Sequence, residues 1–297
     1  EKKDPIFLQI TEKRIHFLTP DHLLSFLDVD NSIVDASIND LSFAYCTVNS
    51  VHFYELDFQS SQFFVEKNLN VNSKLKGEVT SIALNESFIA VSTSSPTTVL
   101  VFQLPTSSSF TNSDNFNEFQ KFELEGNIID LTFAFDHLIA LDVIGKVTVI
   151  DYLKNETFVI RNNSPKYFNT SFSILNNREV LVCGESPFII NDRFEFLGVK
   201  CSSGSNNCII NAANFDGSLI ALNSDSLMIG TLQQPAYSNT SYISETPIID
   251  IFTFDDLYIT VRSINSTEEE EADTEADSST SSSRGNTIEA LFISTDK

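Results

Sequence analysis

Aspartates return at one place in a repeated phrase of this chain. Asp35, Asp130 and Asp250 each follow a Val or Ile near the start of a short apolar run. Carboxylates recurring at one repeat position could gather a cation such as calcium, or act as acid–base groups in a hydrolase or lyase. The same short side chains also satisfy backbone amides where a strand begins, which is the structural alternative. Nothing else strengthens the catalytic option. His16, His22, His52 and His137 lack a second His, Cys or carboxylate at metal-ligand spacing. His16 and His52 sit among aromatics in strand-like runs and read as packing residues, while His137 follows Asp136 at a turn and is expected to be exposed. Phosphate-binding loops, nucleophile elbows and dinucleotide fingerprints are missing. No catalytic residue, metal ligand or cofactor is assigned, and the chain is not read as an enzyme.

The cysteines divide into two kinds. Cys46 and Cys183 end apolar runs and are expected to be small buried hydrophobes. Cys201 and Cys208 bracket the polar stretch Ser202 to Asn207, a spacing that permits a disulfide and would then indicate an oxidising compartment. Two incidental thiols are the alternative. Asn85, Asn155, Asn169, Asn239 and Asn265 head Asn-x-Ser/Thr triplets and are candidate glycosylation sites; at Asn162 a proline, Pro165, follows the serine directly. A chain so rich in Asn, Ser and Thr generates such triplets by chance. Ser266 and Thr267 precede a glutamate run and resemble acidophilic kinase substrates, each phosphate adding about −1.5 to −2 charges. Kinase sites suit the cytoplasm or nucleus, whereas the cysteine pair leans towards the secretory lumen or the exterior. The opening Glu1-Lys2-Lys3-Asp4 is read as a processed start or an excised domain.

These residues hang on a repeat. A short apolar strand, an Asx turn and a second apolar strand recur from Val34-Asp35, Val79-Thr80, Ile129-Asp130, near Phe168-Asn169, Ile210-Asn211 and Ile249-Asp250. Steps of roughly 40–50 residues built from short strands are the mark of a β-propeller. In Gly126 to Ile160 the phrase reads as four strands, the two inner ones apolar on both faces and the outer ones alternating. Six copies, with an opening set at Ile6–Ile10, Arg14–Leu18 and Leu23–Val29, predict an all-β, single-domain propeller over residues 1–297. Seven blades of three to four antiparallel strands is the expected count. The 26 phenylalanines and absent tryptophan predict packing between blades mediated by phenylalanine.

The segment Val79-Thr80-Ser81-Ile82-Ala83-Leu84-Asn85-Glu86-Ser87-Phe88-Ile89-Ala90-Val91 resembles the inner strands of WD40-type repeats. The likeness extends over nearly the whole chain at the level of this phrase. The Gly-His and Trp-Asp dipeptides of that family are missing, so its hydrogen-bond network carries over to no residue here. What the resemblance implies is a strongly diverged WD40-like propeller.

A formal charge of −23 repels phosphate backbones and anionic membranes, which disfavours nucleic-acid binding and membrane docking. It favours partners with basic surfaces. No apolar run reaches the roughly 18–20 residues needed to span a bilayer, so direct membrane insertion is not expected. The repeat is broken at Pro105–Asn117 and at 263–286, where Glu268, Glu269, Glu270, Glu271, Asp273, Glu275 and Asp277 precede a Ser/Thr run. That composition predicts a disordered acidic insertion within the last blade, suited to steering a basic partner. The leading expectation is a non-catalytic scaffold or adaptor binding other protein subunits through propeller loops, on the face carrying Cys201–Cys208 and 263–286. The alternatives are a lumenal or extracellular propeller of a membrane-protein complex, and an enzyme using central-channel carboxylates.

Overall fold

The computed structural model describes residues 7–18, 23–57, 64–67, 71–104, 119–160, 169–184 and 187–198, and beyond residue 210 the backbone of the strands. The described residues are β-strands and turns, with one 3₁₀ turn at Asn72–Lys74. The chain divides into two compact units, Glu1–Phe172 and Ser173–Lys297.

The first unit holds four sheets. Phe7–Ile10 (β1), Arg14–Leu18 (β2) and Leu23–Asp28 (β3) make a three-stranded sheet. Ile33–Ile38 (β4), Ser42–Thr47 (β5), Val51–Leu56 (β6) and Phe64–Lys67 (β7) make the second. Val79–Leu84 (β8), Phe88–Thr93 (β9), Thr98–Gln103 (β10) and Phe119–Glu123 (β11) make the third. The fourth is Ile128–Ala134 (β12), His137–Asp142 (β13), Val147–Asp151 (β14) and Glu156–Ile160 (β15). Each is a meander in which every strand pairs antiparallel with the next.

The second unit repeats the plan. Asn169–Asn176 (β16), which begins just before the division, joins Glu179–Gly184 (β17), Phe188–Asn191 (β18) and Phe196–Gly198 (β19). Asn211–Phe215 (β20), Ser218–Leu222 (β21), Leu227–Thr231 (β22) and Gln234–Tyr242 (β23) follow. Ile248–Phe254 (β24), Leu257–Ile264 (β25) and Thr287–Ser294 (β26) close the series. The described strands thus form seven sheets of three or four strands, compatible with seven blades.

Burial follows strand position within a sheet. The second and third strands are covered on both faces: β5, β9, β10, β13 and β14 are buried at nearly every residue. The fourth strand β15 is exposed except at Ile160. The first strands β4 and β12 are only partly buried, so in the fourth sheet the doubly covered pair is the second and third strands, not the first and second, whereas in the third sheet the first strand β8 is buried at all but Thr80 as well. Strand alternation deals residues to two neighbouring interfaces. Phe43 and Tyr45 of β5 pack with Ile15 and Phe17 of the first sheet, while Ala44 and Cys46 of the same strand pack with Ile82, Ile89 and Val91 of the third. Likewise Ala90 and Val99 face Leu138, Ala140 and Ile150 of the fourth sheet. Each fully buried Leu or Ile contributes about 1.5–3 kcal/mol.

The expectation of phenylalanine-mediated packing holds most fully between the first two sheets. There Phe17 of the first sheet stacks on Phe64 of the second at 4.9 Å and meets Phe43 edge-on at 5.5 Å. Between the third and fourth sheets aliphatic residues supply most of the buried contact.

Candidate functional site

The recurring aspartates sit on the first strand of their sheets, each just after a bulge. β4 pairs Ile33 with Thr47 and then Asp35 with Cys46, leaving Val34 as the extra residue. Thr80, Ile129 and Ile249 are the extra residues of β8, β12 and β24 in the same way. The residue after the bulge is therefore Asp35, Ser81, Asp130 and Asp250. This register corrects the second copy, whose polar position is Ser81 and not Thr80.

In the first unit these side chains reach across to the edge of the next sheet. Asp35 Oδ2 accepts the Ser81 hydroxyl at 2.6 Å and the Ile82 amide at 2.9 Å, and Asp35 Oδ1 accepts the Ala36 amide at 2.8 Å. Ser81 Oγ in turn accepts the Leu131 amide at 3.1 Å. Asp130 Oδ2 accepts the amide of Phe172, the last residue of the first unit, at 2.6 Å. By that pattern the fourth copy has its polar position at Ser171, two residues beyond Asn169. β4 extends the arrangement: Ser37 Oγ accepts the Leu84 amide at 3.0 Å, and Asn39 Nδ2 donates to the Asn85 carbonyl at 2.8 Å. Asp35 and Ser37 lie two apart on one face of β4 and Asn39 follows directly after its end, so this one edge serves the neighbouring sheet.

A sheet edge presents amides and carbonyls without ladder partners, and burying them unpaired is costly. Asp35, Ser81 and Asp130 fill that need. Burial pushes Asp35 above the ordinary carboxylate range, although its bonds to Ser81, Ile82 and Ala36 oppose the shift. Burial, with the charge of Asp35 nearby, raises Asp130 to about 7, opposed by the Phe172 and Leu131 amides. Asp142 is a third raised carboxyl, again through burial. Its Oδ1 accepts the Ile144 and Lys146 amides at 3.0 and 2.8 Å, while its Oδ2 is buried without a hydrogen-bond partner. Among the described residues, no three His, Cys, Asp or Glu side chains gather to hold a metal ion. The geometry of Asp35 and Asp130 fits amide acceptance rather than cation binding.

The other sequence-derived residues are placed as follows. His16 and His52 lie in β2 and β6, with His52 stacked on Tyr45 at 4.8 Å. His137 differs from expectation: it opens β13, is partly buried, and lies with Nδ1 2.6 Å from the Phe135 carbonyl and Nε2 3.7 Å from Asp151. The residues Phe135 and Asp136 turn with positive φ, which tucks the ring against the sheet. Cys46 and Cys183 are both buried, and burial pushes the Cys46 thiol up to about 12. Asn85 Oδ1 caps its own turn, accepting the Ser87 and Phe88 amides at 2.9 and 2.7 Å. Asn155 is exposed at the β14–β15 turn with φ of 58°. Asn169 and Asn239 lie in β16 and β23. Cys201, Cys208, Asn265, Ser266, Thr267 and the acidic run Glu268–Asp277 lie outside the described residues, as does His22. β25 runs through Ile264, so the segment between β25 and β26 spans 265–286.

Sequence reading missed Ser37, Asn39 and Ser81. The available signal was the polar i, i+2, i+4 series Asp35, Ser37, Asn39 on an otherwise apolar strand.

Successive antiparallel meanders, with β4, β8 and β12 each joined through side chains to the next first strand, define a β-propeller protein. Residues 2–232 match the family described as the RSE1/DDB1/CPSF1 second β-propeller, and the chain belongs to that family. No curated protein matches the chain. Among the described residues no helix is long and apolar enough to cross a membrane.

Proposed function

We propose that the chain is a non-catalytic interaction scaffold, holding other protein subunits of a multiprotein assembly on its loops. The observation that carries this reading is the use made of the recurrent acids. The side chains that a channel enzyme would present to substrate, Asp35 and Asp130, are engaged by backbone amides of adjoining strands. The connections are free to vary around that frame, and propeller loops are where partners dock. The turn between second and third strands carries exposed apolar tips, with Ile144 68% exposed and Val48 40% exposed. Membership in a family named for propellers of RSE1, DDB1 and CPSF1 agrees with a subunit role.

The WD40-like phrase is read as shared architecture. The acidic run Glu268–Asp277 is assigned to steering a partner that presents a basic surface. The test is purification of the tagged full chain from its native source, followed by cross-linking mass spectrometry. Stoichiometric subunits cross-linked through the turns at 48–50, 94–97 and 143–146 are expected. Recovery of the chain alone at low and high salt would overturn the reading.

A further inference from the structure

A cavity of about 230 Å³ opens beside the third sheet, and its lining is cationic. Lys74 and Lys76 reach it from the connection between β7 and β8, and Lys121 from β11, with the hydroxyls of Ser73, Thr93 and Thr98 around it. Buried Leu100 and the turn residue Pro96 complete the lining. Leu100 and Lys121 are cross-strand partners, which puts both side chains on one face of the sheet. The cavity lies where a second-to-third-strand turn meets a fourth-to-first-strand connection, the class of loops assigned above to partner docking.

This site is held in shape from both sides. Val71 is fully buried, and Asn72 bonds both backbone groups of Val51, accepting its amide at 2.8 Å and donating to its carbonyl at 3.2 Å. Gly77, at φ of 102°, lies so close to the turn that an added Cβ would stand 1.9 Å from the Ser94 carbonyl oxygen. The Ser94 amide donates to the Glu78 carbonyl at 2.8 Å. Lys74 and Lys76 are thereby carried on a connection fixed to two sheets, and little ordering remains to be done on binding.

We propose that this cavity binds a phosphoryl group on a phosphorylated segment of a partner protein. Three of the chain's 18 lysines and arginines converge on one cavity in a protein of net charge −23, against the field of the rest of the molecule. Lysine binds phosphate as a point charge, and the Thr93 and Thr98 hydroxyls, which donate to the Pro96 carbonyl at 3.5 and 3.1 Å, would have to turn to reach its remaining oxygens. A carboxylate offers fewer acceptor oxygens and half the charge. A nucleic acid or an anionic membrane would bring many phosphates up to a strongly negative surface; a single phosphoryl group on a protein segment would not. Within the site Lys121 is held by Glu123 at 2.5 Å, an internal carboxylate that an incoming phosphate must displace.

The proposal deepens the scaffold reading by naming a ligand chemistry, and it rests on that reading for the source of the phosphoryl group. The full chain is titrated into fluorescent peptides carrying phosphoserine, serine or glutamate in the same neutral context, with fluorescence anisotropy as the readout. The phosphopeptide is expected to bind and the serine peptide not to bind. Affinity should fall roughly tenfold or more in Lys74→Gln/Lys76→Gln/Lys121→Gln, and weaken as salt rises from about 50 to about 300 mM. Glu123→Gln should tighten binding by releasing Lys121. Equal affinity of the triple variant and the unaltered chain would overturn the site. So would a glutamate peptide bound as tightly as the phosphopeptide, or tighter retention on vesicles containing phosphoinositide. A chain that binds the phosphopeptide yet recovers no subunit from its native source would keep the pocket and sink the scaffold reading.

Discussion

Asp35 Oδ2 and Ser81 Oγ lie 2.6 Å apart across two sheets, and Ser81 Oγ is also the acceptor for the Leu131 amide of a third. One carboxylate and one hydroxyl thus connect three successive first strands. Asp35→Ala leaves the Ile82 amide without its acceptor, and the expected loss is about 1–3 kcal/mol in urea unfolding. Asp35→Asn, which keeps an acceptor oxygen, should lose less. An alanine variant as stable as the unaltered chain would show that the connection contributes nothing.

Acid should stabilise this fold over a defined range. The folded pKa of Asp130 is about 7 against an ordinary value of 3.8, so between these values the folded chain holds a proton that the unfolded chain has released. Stability therefore falls as pH rises through that window and is greatest near its lower end for this group. Asp35 and Asp142 shift in the same direction and add to the slope. Asp130→Asn should flatten the decline in Tm between pH 4 and 7. Parallel Tm curves for the two proteins would refute the assignment.

Gly77→Ala should be costly although the position is exposed. The new methyl would meet the Ser94 carbonyl oxygen at 1.9 Å, and φ of 102° is strained for any L side chain. A loss of about 1–3 kcal/mol is expected. Because the connection must shift, phosphopeptide affinity should fall with it. Unchanged stability and affinity would remove Gly77 from the construction of the cavity.

Cys46 should resist alkylation. Its thiol is fully buried and pushed up to about 12, so almost none is thiolate at pH 8. Iodoacetamide followed by peptide mapping should label it only after denaturant is added. Rapid labelling of the native chain would show that the second sheet opens locally.

Deletion of 265–286 should leave the fold intact. Ile264 and Thr287 are register partners in β25 and β26, so a short turn can join them. Binding of a basic partner should then slow by about tenfold at low ionic strength, with the difference vanishing at high salt. An unchanged association rate would rule out steering.

Much of the architecture was legible because a period-2 pattern inside a longer repeat leaves few alternatives for burial. Leu138 to Leu141 read directly as a doubly covered strand, whereas Val147 onward read only as a third strand and is in fact covered on both faces too. The repeat register was legible only to within one or two residues. Thr80 and Ser81 are both small and polar, and only the bulge in the pairing decides which one faces the next sheet. The role of Asp35 was anticipated as amide acceptance, but the amide donor Ile82 lies 47 residues away, beyond what local turn chemistry reveals. The lysine cavity was invisible for a similar reason. Lys74 and Lys121 come together through a connection and an outer strand whose approach depends on Gly77, and sequence spacing carries no trace of that contact.

The side-chain belt along the inner edges has a consequence for cutting this molecule apart. A piece beginning at the third sheet would keep Ile82 and Leu84 but forfeit the Asp35 and Ser37 oxygens that quiet their amides. Its raw margin would then be open to strand addition from another copy, so shortened versions should gel or oligomerise where the intact chain does not.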